Sequence, residues 1–442
     1  MHSLPYTYEE LLGATMARAL AAGTLPPASH AQATVHSLLS GRPLPPLTLC
    51  TAADARQAVD RGREAQGAWL ATGQAGRRAT VIRLRREVAA GRAAFMAVLR
   101  HSAGFGIKDT VEECRDAERV LRLSTSSPRT AVRWWQRPPF APAPYQAADI
   151  APAVTVSYCD DSRPLAAMFE GALPALLAGA AVVTDVSARS APVALAAAAL
   201  AREVGLPAGV WQVAVRGEAA GMSGSGLRAV LAEHADALAP LCCPPGATGP
   251  VARPRPPCLL ILRHDGSARA AARAAVRACF ARAGRSCAAT PLVAVHARRT
   301  EDFLDAFVRE ARTFTGTTAL PDELHLTRLV AWAHSRMSAG ARPLTDWSPP
   351  TYRPGGAPPA PGPLLLLDPG ALSDQRPEIP VGPVALVTRF THWSEVLDHA
   401  QHTGHHLGVF TRAPISQLAP QFAGLAGRRI HLNQPPHAGL LP

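Results

Sequence analysis

The chain has 442 residues, 48% hydrophobic and 18% charged, which suits two or three domains with real cores and excludes a wholly disordered protein. Its strongest apolar run, Ala172 to Thr184, falls short of the ~18 residues of a membrane span, and MHSLPYTYEE lacks the parts of a secretion signal, so a soluble, cytoplasmic protein is expected. The net charge of +12 comes from arginines dispersed along the chain (Lys108 is the only lysine), and aromatics reach only 5%, so no nucleic-acid and no membrane partner is expected.

In chain order, Tyr8 to Ala22 is helical and is followed by proline-broken loop. Thr51 caps a long helix to Leu70, with Ala55, Val59 and Ala65 on one face. A second helical region shows Val81, Leu84, Val88, Phe95 and Val98 on its apolar side, with a break at Gly91. A third helix runs from Val111 to Leu123. Residues 128–158, proline-rich and ending in the alternating VTVSY, read as an arm or hairpin. Next comes a βαβ unit: a strand over 180–186, a helix from Pro192 to Val204, and a strand over 209–215, which together imply a parallel sheet. Loops rich in Pro and Gly occupy 244–257 and 347–363, and strands are predicted at 364–368 and 384–390.

Eight cysteines form no CxxC pair, which disfavours zinc ribbons and dithiol redox motifs. Cys287 stands apart. The helix over 268–283 carries Arg269, Arg273 and Arg277 on one face and Val276, Cys279 and Phe280 on the other, and it stops at Gly284. Cys287 follows on the exit loop beside Arg282 and Arg285, whose charge would favour its thiolate. The plain alternative is a small buried hydrophobe. Gly224, Ser225 and Gly226 form a GxGxxA pattern, either a phosphate cradle or an ordinary loop before a helix. His399, His402 and His406 share a helical face but read better as a solvated turn, so no metal is assigned.

Four segments in order resemble the aldehyde dehydrogenase superfamily, most of all its bacterial succinate-semialdehyde dehydrogenases. They are TAADARQAVDRGREAQGAWL, the cofactor-domain run 174–217, the nucleophile segment RACFARAGRSC, and PEIPVGPVALVTRF with its Glu-x-Phe-Gly-Pro-like start. The resemblance implies an α/β fold with a Rossmann-like cofactor domain (1–127 and 159–240), an arm (128–158 with a truncated 431–442), a catalytic domain (241–407), and a return to the cofactor domain over 408–430. It also implies Cys287 as nucleophile and Glu378 as the nicotinamide-ribose contact, with Gly224, Ser225 and Gly226 at the diphosphate. The substrate implied is an aldehyde or an acyl thioester, and the partner a second copy or a heterologous subunit.

Several positions depart from the family pattern. Asp185 replaces the ribose-binding lysine; it could accept a ribose hydroxyl but would repel the extra phosphate of NADP, so NAD is favoured. The oxyanion asparagine has no counterpart between Tyr158 and Pro174, and VARPRPPCLLIL stands where the water-activating glutamate belongs. Glu170, Glu233, His234 and Asp236 are candidate replacement bases. Loss of the base points to acyl transfer to a thiol rather than hydrolysis. A catalytically degenerate partner subunit or scaffold is the alternative.

Overall fold

The computed structural model describes residues 31–126, 152–159, 161–217, 224–239, 258–286, 288–316, 318–351, 360–373, 379–403, 406–422, 424–425 and 430–436. The expected helix Tyr8 to Ala22, most of the expected arm (127–151) and the loop 244–257 lie outside them. The chain divides into two compact units, one built mainly from residues 1–251 and the other mainly from 252–438.

In the first unit, a two-stranded ribbon pairs β1 (Gln32–Ala33) with β2 (Leu47–Thr48). It precedes α1 (Ala52–Ala71), α2 (Gly73–Ala90), α3 (Arg92–Val98) and α4 (Ile107–Ser126). The start of α1 is fixed by a reciprocal capping box: the Thr51 hydroxyl accepts from the Asp54 amide, and the Asp54 carboxylate accepts from the Thr51 amide. Gly91 separates α2 from α3, as its helix-breaking character predicts. Then follow β3 (Val154–Tyr158), α5 (Pro164–Ala178), β4 (Ala181–Ser187), α6 (Ala191–Glu203), β5 (Trp211–Arg216), α7 (Gly224–His234) and β6 (Ala237–Leu238). The strands form a parallel sheet in the order β5-β4-β3-β6.

The expectation of an arm fails at VTVSY. That segment is β3, an inner strand with Val154, Thr155, Val156 and Ser157 all buried, because helices cover both faces of the sheet. Alternate residues of β4 enter different cores: Val182 and Val186 pack with α5 and α6, whereas Ala181 and Val183 pack with α1 and α7.

The second unit contains β7 (Leu259–Leu262), α8 (Ala268–Phe280), β8 (Leu292–His296), α9 (Thr300–Arg312), α10 (Glu323–Ser338), β9 (Arg342–Pro343), β10 (Leu364–Leu367), β11 (Val384–Phe390), α11 (Trp393–Thr403), β12 (Leu407–Phe410), α12 (Ile415–Leu418) and β13 (Ile430–Leu432). The sheet order is β13-β12-β7-β8-β11-β10-β9, parallel throughout except for the short β9 at its edge. Helices α8 and α9 pack on one face, while α10 and α11 pack on the other. Segment 408–430 therefore does not return to the first unit as expected. Residues of β12 pair with β7, so their apolar side chains complete the second core.

Candidate functional site

The segment leading to Cys287 begins at α8, whose start is capped by the Ser267 hydroxyl accepting from the Ala270 amide. Ala271, Ala275, Val276, Cys279 and Phe280 bury its inner face. After Phe280 the backbone turns left-handed at three successive residues, Arg282 (φ 54°), Ala283 (φ 52°) and Gly284 (φ 65°). For the two that carry a Cβ such a conformation costs roughly 1–2 kcal/mol each, so the packing must hold the turn. The Gly284 backbone lies so close to Gly382 that a Cβ there would sit 1.9 Å from the Gly382 carbonyl oxygen. Downstream, the Ala288 amide donates to the Ser286 hydroxyl (3.2 Å), and the Thr290 amide donates to the Ala278 carbonyl (2.9 Å).

Cys287 and Glu378 themselves lie outside the described residues. Their segments nevertheless meet: Gly284 precedes Cys287 by three residues, Gly382 follows Glu378 by four, and β8 and β11 run side by side from there. Arg282 and Arg285 are both buried within this turn (7% and 6% exposed), so the loop holds two guanidiniums in a dry setting.

The carboxyl edge of the first sheet is a topological switch point. The strand order reverses beside β3, with β4 and β5 on one side and β6 on the other, and the chain leaves β3 for α5 on one face and β5 for α7 on the other, the arrangement in which open α/β sheets take ligands. Gly224 to Gly226 form the opening turn of α7, so the sequence pattern sits where a strand gives way to a helix N-terminus; the surroundings of Gly224 and Ser225 lie outside the description.

Asp185 differs from expectation. It has no exposed surface, and its Oδ2 is shared by Arg216 (2.8 Å) and Arg228 (2.7 Å), with Arg228 also stacked 5.1 Å from the Tyr158 ring. Burial alone would lower the Arg216 pKa, but Asp185 and Asp161 outweigh it and hold the guanidinium charged. Burial raises the Tyr158 phenol, and the Asp185 charge adds to that. With two guanidiniums on one carboxylate, Asp185 presents no net negative charge that would repel the extra phosphate of NADP. The sequence argument for NAD over NADP therefore fails at this residue.

The residues at this edge are nonetheless compatible with a nicotinamide dinucleotide. Asp185 Oδ1 is a buried acceptor without a hydrogen bond among the described residues, which a ribose hydroxyl could satisfy, and the glycine turn offers backbone N–H groups to a diphosphate.

The candidate replacement bases are all committed elsewhere or on the surface. Glu170 forms a bidentate pair with Arg163 (2.9 and 3.0 Å), both side chains being about 95% buried. Asp236 accepts from the Val154 amide and pairs with Arg63. His234 Nδ1 lies 3.0 Å from the Val230 carbonyl oxygen, and Glu233 is exposed. His399 is buried with Nδ1 facing the Leu372 carbonyl, whereas His402 is exposed over the Asp398 carbonyl.

Sequence reasoning missed Glu113, a fully buried carboxylate that accepts the Leu165 and Ala166 amides (2.9 and 2.8 Å) and so caps α5 from α4. No spacing rule signals a cap supplied from 52 residues away. Cys50, Cys114, Cys159, Cys258 and Cys279 are buried free thiols, and burial pushes Cys50 and Cys114 up to about 12. Among the described residues, no helix is long and apolar enough to cross a membrane.

Comparison with known proteins agrees with this architecture. The structure resembles a crystal structure of a NAD-dependent benzaldehyde dehydrogenase from Corynebacterium glutamicum, with TM-score 0.74 and 18% identity, covering 94% of this chain and 91% of that one. In sequence the chain is 29% identical over 273 residues to an aspartate-semialdehyde dehydrogenase (non-phosphorylating) from Halomonas elongata (56% of this chain, 52% of that protein). It is 26% identical over 411 residues to a Mycobacterium bovis protein named "Putative succinate-semialdehyde dehydrogenase NADP(+) 2" (85% of this chain, 75% of that protein). It thus spans about half the length of the first relative and three quarters of the second. The profile of the aldehyde dehydrogenase family matches residues 27–225 and 259–420, most of both units. The chain belongs to the aldehyde dehydrogenase family.

Proposed function

We propose that the protein is a nicotinamide-dependent oxidoreductase that acts on an aldehyde through Cys287, with family membership as its broad support. The observation that carries the assignment is the backbone contact of Gly284 with Gly382, which supports a shared location for the Cys287 and Glu378 segments. In this reading Arg282 and Arg285 favour the Cys287 thiolate, which adds to the aldehyde carbon. The new C–S bond forms as the carbonyl π electrons move to oxygen, giving a thiohemiacetal. A bound nicotinamide cofactor supplies the acceptor for the hydride that this carbon loses. Glu378 holds the nicotinamide ribose, the Gly224–Ser225–Gly226 turn the diphosphate, and Asp185 Oδ1 a further ribose hydroxyl.

What remains on Cys287 is a thioester. Water would release an acid and a thiol would release an acyl thioester; the absence of the family's glutamate base favours the thiol, and the reverse reaction then reduces an acyl thioester. Asp185, with its charge cancelled by two arginines, leaves both NAD and NADP as candidates.

The complete burial of Asp185 also favours a second reading, a catalytically degenerate partner subunit in which the ion pairs close the cofactor edge. An aldehyde panel with NAD+ or NADP+, with and without coenzyme A, separates the two. Under the first reading Cys287→Ala lowers turnover by ~10⁴-fold or more while cofactor still raises the melting temperature. Undiminished turnover in that variant would remove Cys287 from the mechanism, and absence of turnover together with absence of any cofactor shift would leave only the degenerate subunit.

A further inference from the structure

The carboxyl edge of the second sheet carries a cluster that the proposed reaction does not use. β7 is followed there by Arg263 and His264, β8 ends in His296, and β11 ends in Phe390 just before Trp393 opens α11. Parallel register brings them together, with Leu262 opposite Val295 and His296 opposite Phe390. The His264 and His296 rings are 5.5 Å apart, the His296 and Phe390 rings 5.3 Å, and the Arg263 guanidinium carbon lies 5.0 Å from the Trp393 ring centroid. This too is a switch point, since the chain leaves β8 for α9 on one face and β11 for α11 on the other.

Two donors in the cluster have no acceptor. Arg263 Nη1 and Trp393 Nε1 are both buried without a hydrogen-bond partner among the described residues, an arrangement that folding normally avoids. Neighbouring acids do not help, being already committed. Asp265 accepts from the Thr411 hydroxyl and from the Arg412 and Ala413 amides, and Glu395 accepts from the Thr391 and His392 amides. His296 Nδ1 accepts from the Arg298 amide, and its ring bonds the Thr391 backbone. Its pKa is lowered first by burial and then by its neighbours His264, Arg298 and Arg263, while the Asp265 carboxylate offsets part of the Arg263 charge.

We propose that this edge is a second binding site, specific for a small oxyanion (a carboxylate or a phosphate) that accepts hydrogen bonds from Arg263 and from the Trp393 indole. An oxyanion meets both orphaned donors and the remaining Arg263 charge with one ligand, which neither water nor a cation does. Arg263, His296 and Trp393 are only partly buried and His264 is exposed, so the cluster lies at the protein surface, with the two donor atoms themselves covered until the Arg263 side chain moves.

The test titrates the full-length protein with inorganic phosphate and, separately, with succinate, each against sodium chloride of matched ionic strength. Tryptophan fluorescence and the Trp393 indole N–H resonance, assigned with Trp393→Phe, are followed. The expected result is a saturable response to at least one anion, with Kd on the order of 1 mM, in which that resonance moves. Arg263→Gln should weaken the response ~10-fold or more, while Arg273→Gln on the exposed face of α8 leaves it unchanged. No saturable response beyond chloride, an unmoved Trp393 resonance, or undiminished binding in Arg263→Gln would each overturn the proposal. Should Arg263→Gln not fold, the wild-type resonance decides alone. The readout needs no turnover, so it stands or falls apart from the redox reading.

Discussion

The two sheets end in contrasting ways at equivalent places. At the carboxyl edge of the first, Asp185, Arg216 and Arg228 come from two strands and a helix and pair with one another, while Asp185 Oδ1 and Arg216 Nη1 are left without a well-formed hydrogen bond among the described residues. At the switch point of the second, cations and aromatic rings gather with every nearby carboxylate already spent, and two donors are left over. An edge that neutralises itself is stable without a ligand and resists one; an edge with surplus donors is the reverse. Fold alone therefore does not say which edge is occupied, because similar sheet edges carry cations that are paired with a buried carboxylate in one case and stacked on aromatic rings in the other.

Four substitutions or conditions would break or sharpen this contrast, in falling order of effect. Asp185→Ala strands two guanidiniums in the first edge and should cost about 3–5 kcal/mol in urea unfolding. A cost near zero would mean the triad is not the mutually paired element described. Gly284→Ala, away from both edges, places a Cβ against the Gly382 carbonyl at a left-handed residue and should cost about 2–4 kcal/mol by the same measurement. Arg263→Gln removes a buried donor that had no acceptor, so its loss of stability should stay within ~1 kcal/mol, mostly the forfeited stacking on Trp393.

The smallest effect is the pH dependence of His296. Its native pKa is lowered, so the unfolded chain binds the proton more readily; its contribution is present above pH ~6.5 and is lost as pH falls through the lowered native value. Unfolding curves at neutral and mildly acidic pH should show less acid loss in His296→Gln than in the wild type. An equal loss would assign the acid sensitivity to other groups.

Much of this fold was legible in the sequence where local rules govern. Thr51 announced the start of α1, Gly91 the break after α2, and VALVTRF the limits of β11. VTVSY misled because alternation of Val with Thr and Ser looks half-exposed, yet Thr155 and Ser157 are buried under helices on both faces. The candidate site was legible only in outline. The expected helix end at Gly284 lies past Phe280, where α8 stops, and nothing local revealed that the Gly284 backbone meets Gly382 nearly a hundred residues later. Asp185 looked like a free acid because Arg216 and Arg228 reach it through strand register and helix packing, and a linear reading sees neither. Arg263, His264, His296 and Trp393 were invisible for the same reason: parallel pairing of β7, β8 and β11 makes neighbours of residues far apart in the chain.

Gly284 and Gly382 touch through main chain alone, and that fixes a distance as well as a fold. The bare α-carbon of Gly284 lets the two segments approach closely, and a side chain at that position would act as a shim against the Gly382 backbone. In the proposed reaction that gap governs how far the sulfur stands from whatever Glu378 steadies, and a misplacement of ~1 Å can cost ~100-fold in rate. The hydrogen that Gly284 carries in place of a side chain thus works as the spacing gauge of the site.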